Sequence, residues 1–272
     1  MILLFLLRLI AGLAVTWCLL PRRMITSGFF RIQMLLTLGL SVLGFLMLGS
    51  VESPVELPAK TVAHAVVESA ADVSSVWEQV PAGLVFVGMA VASFVGSVLW
   101  TLERRTGGAV LVFLMAFAST SLLVAVESAS STHPVLSAFG GLTAAWLSGG
   151  VLCAMLLGHW YLTATGMALE PLQVAIRLAT NALLARVAFV LLSLFLSRQG
   201  SEPLSAEGLV LWLTLRALAG LGAQFLLLPM AQGTLRYRNT QAVTGVLFAA
   251  SVLVFIGESA ALLLTSELKW PF

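Results

Sequence analysis

Charge is what this chain has least of. Asp, Glu, Lys and Arg together make up 10% of its 272 residues, while 60% are hydrophobic. A typical soluble domain is about 25% charged and about 45–50% apolar. A chain of this length cannot hide so much apolar surface from water, which excludes a soluble globular fold. The net charge is only +2 and there is no basic run, so nucleic acid is not an expected partner. Cysteine is nearly missing too. Cys18 and Cys153 both fall inside apolar stretches, without metal or redox spacing. They read as small core residues and not as a disulfide framework. Motifs for a P-loop, a metalloprotease, a nucleophile elbow or a dinucleotide fold are also missing. Enzymatic activity is left open, and no catalytic residue is assigned.

What is there is apolar runs of membrane length. A spanning helix needs about 20 predominantly apolar residues. Eight stretches qualify: 2–20, 29–50, 81–102, 107–126, 135–161, 171–197, 208–230 and 242–265. The expected fold is therefore all-α, a polytopic bundle of about eight transmembrane helices in a single membrane domain, 1–272. The first stretch, MILLFLLRLIAGLAVTWCLL, has no positive n-region and no A-x-A site. It reads as a retained helix and not as a signal peptide.

The arginines orient the bundle. Arg22, Arg23, Arg31, Arg104, Arg105, Arg177, Arg236 and Arg238 flank one set of helix ends, and Lys60, Arg198 and Lys269 flank the other. By the positive-inside rule the first set is cytoplasmic. The expected location is a bacterial inner membrane, with both termini periplasmic.

The longest loop is then outside. Within 58–80, Val62, Val66, Val73, Val76 and Val80 gather near one face, with Lys60, His64, Glu68, Asp72, Ser75 and Gln79 on the other. That pattern predicts an amphipathic helix lying on the outer interface. His64, Glu68 and Asp72 share a face, and His133 on a neighbouring outer loop could complete a metal set. A solvated helix face has the same pattern, and no metal is assigned.

A weak four-plus-four duplication is suggested by two stretches. SLLVAVESAS, from 121, and SVLVFIGESA, from 251, close helices that both begin after an arginine pair. The fifth run carries Gly141, Ala145, Gly149 and Cys153 at every fourth position. Small residues at that spacing admit a second backbone, which predicts a central fifth helix.

Arg8, Arg186, Arg216 and Glu258 lie inside spans. Each costs several kcal/mol at the bilayer centre on insertion scales, so such groups face the bundle interior or pair. At 1.5 Å per residue, Glu258 lies roughly 10 Å and Arg216 roughly 12 Å below the outer surface. Their helices are sequential and antiparallel, which predicts an Arg216–Glu258 pair. Thr244 and Ser251 lie below Glu258 on one face, Gly220 and Gln224 follow Arg216, and Ala179, Ala182 and Ser193 accompany Arg186. Together they predict a polar seam between helices six, seven and eight. One carboxylate cannot neutralise three guanidiniums, so an anion is the expected complement.

Two further candidates lie on the cytoplasmic side. His159, in LLGHWYLTATG, is the only histidine in or near a span. Trp160 and Tyr161 beside it suit an interfacial belt. Arg236, Arg238 and Gln241 flank the start of helix eight, where free N–H groups favour an anion.

The function expected from these residues is binding or moving an anionic or amphiphilic small molecule through the seam. The ligand-binding candidates are Arg8, His159, Arg186, Arg216, Gln224, Arg236, Arg238, Gln241 and Glu258. The alternative is a membrane subunit of a respiratory or redox complex, holding a quinone or haem through His159 and the arginines. Two-histidine haem ligation is disfavoured, because His64 and His133 are on the far side. An enzyme acting on lipid phosphates is a third reading. Expected partners are the bilayer and an anionic lipid or small-molecule ligand.

Overall fold

In the computed structural model, the residues described are 1–49, 82–131, 133–164, 166–197, 213–268 and 270. The amphipathic segment 58–80 with His64, Glu68 and Asp72, and residues 208–212 of the seventh run, lie outside them.

Eight helices long and apolar enough to cross a membrane follow one another. They are α1 (Ile2–Leu19), α2 (Ser27–Gly49), α3 (Ala82–Thr101), α4 (Arg105–Ala129), α5 (Pro134–Thr163), α6 (Glu170–Ser197), α7 (Leu213–Leu235) and α8 (Thr240–Leu268). A short 3-10 turn, Arg22–Met24, joins α1 to α2. There is no strand among the described residues. In lipid every backbone N–H and C=O must be satisfied within the chain, and a helix does so locally.

Many large apolar side chains point outward, among them Phe94, Phe117, Leu184, Phe195, Leu226 and Phe248. In water they would be a liability, whereas in a bilayer they face acyl chains. The start of α1 and the end of α8 lie at the same end of the bundle, where Ser266 Oγ approaches Met1 Sδ at 3.9 Å. Arg22 and Arg105 are gathered at the other end, the Arg105 Nη1 donating to the Arg23 carbonyl at 3.5 Å.

α5 is the hub. It packs against α1, α4, α6 and α8. Its small residues Gly141, Ala145, Gly149 and Cys153 are all buried. A Cβ added to Gly149 would sit inside the backbone of Gly12 and Leu13, and one added to Gly12 inside that of Ala145. Glycine at both positions is what lets α1 and α5 touch main chain to main chain.

A second such crossing joins α7 and α8. A Cβ on Gly257 would overlap Gly220, and the reverse approach is 3.0 Å to the Gly257 Cα. Gly220 lies within a π-helical stretch, Arg216–Gly222. α7 continues past the end of the seventh apolar run to Leu235, and Pro229 sits within its second half.

Candidate functional site

The buried charges converge near the end of the bundle where α1 begins and α8 ends. Arg186, on α6, is fully buried. Its Nε donates to Glu258 Oε1 at 2.9 Å and its Nη2 to Oε2 at 2.7 Å, a bidentate fork. Its Nη1 donates to the Gly140 carbonyl at 2.9 Å and to Thr143 Oγ1 at 3.3 Å, both on α5. The Phe189 ring lies 5.7 Å from the guanidinium carbon.

The predicted Arg216–Glu258 pair does not form. Gly257 takes the position that faces α7, through its contact with Gly220. Glu258 is the next residue, so it is turned by about 100° around the helix axis. That rotation aims it towards α5 and α6, where Arg186 receives it.

A second carboxylate joins the cluster. Glu127, near the end of α4, accepts from Arg8 Nε at 2.7 Å, and Arg8 Nη2 lies 2.6 Å from the same oxygen. Its other oxygen accepts from Ser137 Oγ at 3.2 Å. A Cβ on Gly141 would meet the Glu127 side chain at 2.6 Å, so this glycine leaves the space that Glu127 fills. Arg8 also links the two pairs, its Nη1 standing 4.0 Å from Glu258 Oε2.

Glu127 falls just past the fourth apolar run, 107–126, and is not among the candidates read from the sequence. One signal was present. Glu127 and Glu258 occupy like places in the two similar stretches, VESA and GESA. Both carboxylates enter the same cluster.

Arg216 is the third guanidinium. It is 4% exposed, and none of its three nitrogens has a hydrogen-bond partner. The charges acting on it are those of Arg186, Glu258 and Arg8. Arg8, Arg186 and Arg216 against Glu127 and Glu258 leave one uncompensated positive charge. Arg216 also opens the π-helical stretch, and such distortions recur at functional sites. Further along α7, Gln224 is buried, its Nε2 donating to the Ala250 carbonyl at 2.9 Å while its Oε1 has no partner. Thr244 and Ser251 are buried on α8.

The other candidates are elsewhere. His159 is exposed. Its neighbours are anchors: Trp160 Nε1 donates to Thr26 Oγ1 at 2.8 Å, and the Tyr161 hydroxyl donates to the Ala168 carbonyl. Arg236, Arg238 and Gln241 are exposed. The α8 N-terminus beside them is already served, because Asn239 Oδ1 accepts from the Ala242 N–H at 3.0 Å. From Thr240 to Glu258 the helix rises about 27 Å, so these residues stand apart from the cluster. His133 packs edge-on against Trp270, with ring centroids 4.6 Å apart. No group of three or more metal-ligating side chains occurs among the described residues.

No protein family, curated protein or solved structure matches this chain.

Proposed function

We propose that this protein binds or moves an anionic or amphiphilic small molecule at the buried arginine–carboxylate cluster of α1, α4, α6, α7 and α8. The observation that carries the reading is Arg216. A guanidinium offers five donors and holds its charge at any physiological pH. Leaving such a group buried without a partner is costly, and a bound carboxylate or phosphate would satisfy it bidentately. The single surplus charge of the cluster sets the complement at one negative charge. Arg186 and Arg8 already have carboxylate partners and act as the wall of the site, while Arg216 makes the contact with ligand. Gln224, two turns further along α7, is the next buried polar side chain and has a free Oε1.

In this reading the membrane is the cytoplasmic membrane of a bacterium and the site opens to the periplasmic half. Support for that orientation is the arginine asymmetry of the helix ends. The test is ligand-dependent thermal stability of the detergent-purified protein. Screened carboxylates, phosphates and anionic amphiphiles should include some that raise the melting temperature of the wild type and leave Arg216→Gln unmoved. Equal stabilisation of both proteins removes Arg216 from the site. Stabilisation by none of these anions overturns the anion reading.

A further inference from the structure

An arginine-lined cleft lies at the end of the bundle opposite the buried cluster. The cleft, of about 690 Å³, is lined by Pro21, Arg22, Arg23, Trp100, Arg105 and Thr106, with Met24 and Ala109. Its three arginines come from two separate segments, the α1–α2 turn and the start of α4. None of the three forms a salt bridge among the described residues. Two of them are held in place without an acid. Arg22 Nη2 donates to the Cys18 carbonyl at 3.3 Å, and its guanidinium carbon lies 4.6 Å from the Phe113 ring centroid. Arg105 donates to the Arg23 carbonyl.

Two further features point to an anion. The cleft borders the first turn of α4, a helix of 25 residues. The first turn leaves backbone N–H groups without intrahelical acceptors and carries the positive end of the helix dipole. Independently, the Trp100 indole is 2% exposed, and its Nε1 is a buried donor with no acceptor. Phe30 stacks on that indole at 4.6 Å, fixing its plane, and Gly108 leaves the space that the Nε1 edge of the ring fills, beside the first turn of α4. Trp17 and Trp146 also have buried, unpartnered indole donors, but only Trp100 borders this arginine-lined cleft.

We infer that this cleft binds a phosphate group, held by Arg22, Arg23, Arg105, the α4 N-terminus and the Trp100 indole. The chemistry suits both a phospholipid headgroup and a free phosphate. Below the charged rim the exposed side chains of α4 are apolar, Val110, Phe113, Leu114 and Phe117. They continue the cleft into the membrane, as an acyl chain would need.

The test compares two probes on detergent-purified wild type and variants. Phosphatidylglycerol supplies the phosphodiester on a lipid, with retention read by native mass spectrometry. Inorganic phosphate supplies the free anion, read by a shift in melting temperature. Losing charged hydrogen bonds should weaken binding at least about tenfold in Arg22→Gln/Arg105→Gln. Arg177→Gln, an exposed arginine elsewhere in the bundle, should bind as wild type. Arg23→Gln and Trp100→Phe should each weaken binding as well, and they keep the test open if the double variant fails to fold. Retention of phosphatidylglycerol assigns the lipid source, and a response to inorganic phosphate alone assigns the soluble one. If neither probe binds, or if Arg177→Gln weakens binding as much as the double variant, the site does not exist. The cleft is remote from Arg216, so its outcome is independent of the cluster.

Discussion

The guanidinium of Arg8 is held by the carboxylate of Glu127, 119 positions further along the chain. The first helix is thereby locked to the fourth beside the central α5. Both groups are almost fully buried, so neither can turn to water if the other is lost.

Glu127→Gln should therefore destabilise the fold. Removing one partner of a buried pair costs about 3–5 kcal/mol in soluble proteins. Thermal melts in detergent should show the loss, and Arg8→Gln/Glu127→Gln should recover part of it. Unchanged melting of the Glu127→Gln protein would show that Arg8 is neutralised some other way.

Arg186 and Glu258 should behave as a second coupled pair, of similar size. Either single change to Gln should lower the melting temperature, and the double change less than the two losses added. Strict additivity in that cycle would deny their coupling.

Arg216→Gln should have the opposite sign. It removes a buried, unpartnered charge that Arg8 and Arg186 repel. With no anion added, melting temperature should rise, by an amount worth at least about 1 kcal/mol. A fall of the size seen for the Arg186 variant would mean that Arg216 is satisfied within the protein.

The backbone crossings give a steric prediction. Gly149→Leu forces α1 and α5 apart, and overpacking alone costs about 1–3 kcal/mol. Gly88 faces open space on α3, so Gly88→Ala should melt at or slightly above the wild type. Equal effects at the two positions would argue against the α1–α5 contact.

For orientation, a C-terminal reporter active only in the cytoplasm should stay silent, and a periplasmic one should respond. The arginine-rich helix ends predict this side for both termini. The reverse result would invert the bundle.

The spans and the central fifth helix were legible because both are properties of spacing along one dimension. Apolar length gives a span, and Gly141, Ala145, Gly149 and Cys153 give a packing face. Charge pairing was less legible because it depends on rotation about a helix axis. Depth made Arg216 and Glu258 look like partners, whereas the Gly257 contact with Gly220 turned Glu258 away. Glu127 was hidden for another reason. A carboxylate close to a helix end resembles an ordinary interfacial residue until a glycine opposite, Gly141, makes room for it. The π-helical stretch has no pattern in apolar periodicity, since it depends on how α7 meets α8.

A π-helical turn holds more residues per turn than its α-helical surroundings. The stretch Arg216–Gly222 is thus equivalent to an α-helix with one residue too many. Deleting a residue such as Ala219 would restore regular winding and swing everything before it by about 100°. Arg216 would then leave the cluster while every side chain that surrounds it stayed unchanged in the sequence. The length of α7 between Arg216 and Gly222 is therefore as much a determinant of the site as any side chain in it. A shorter segment would keep all the charges and still disassemble their arrangement.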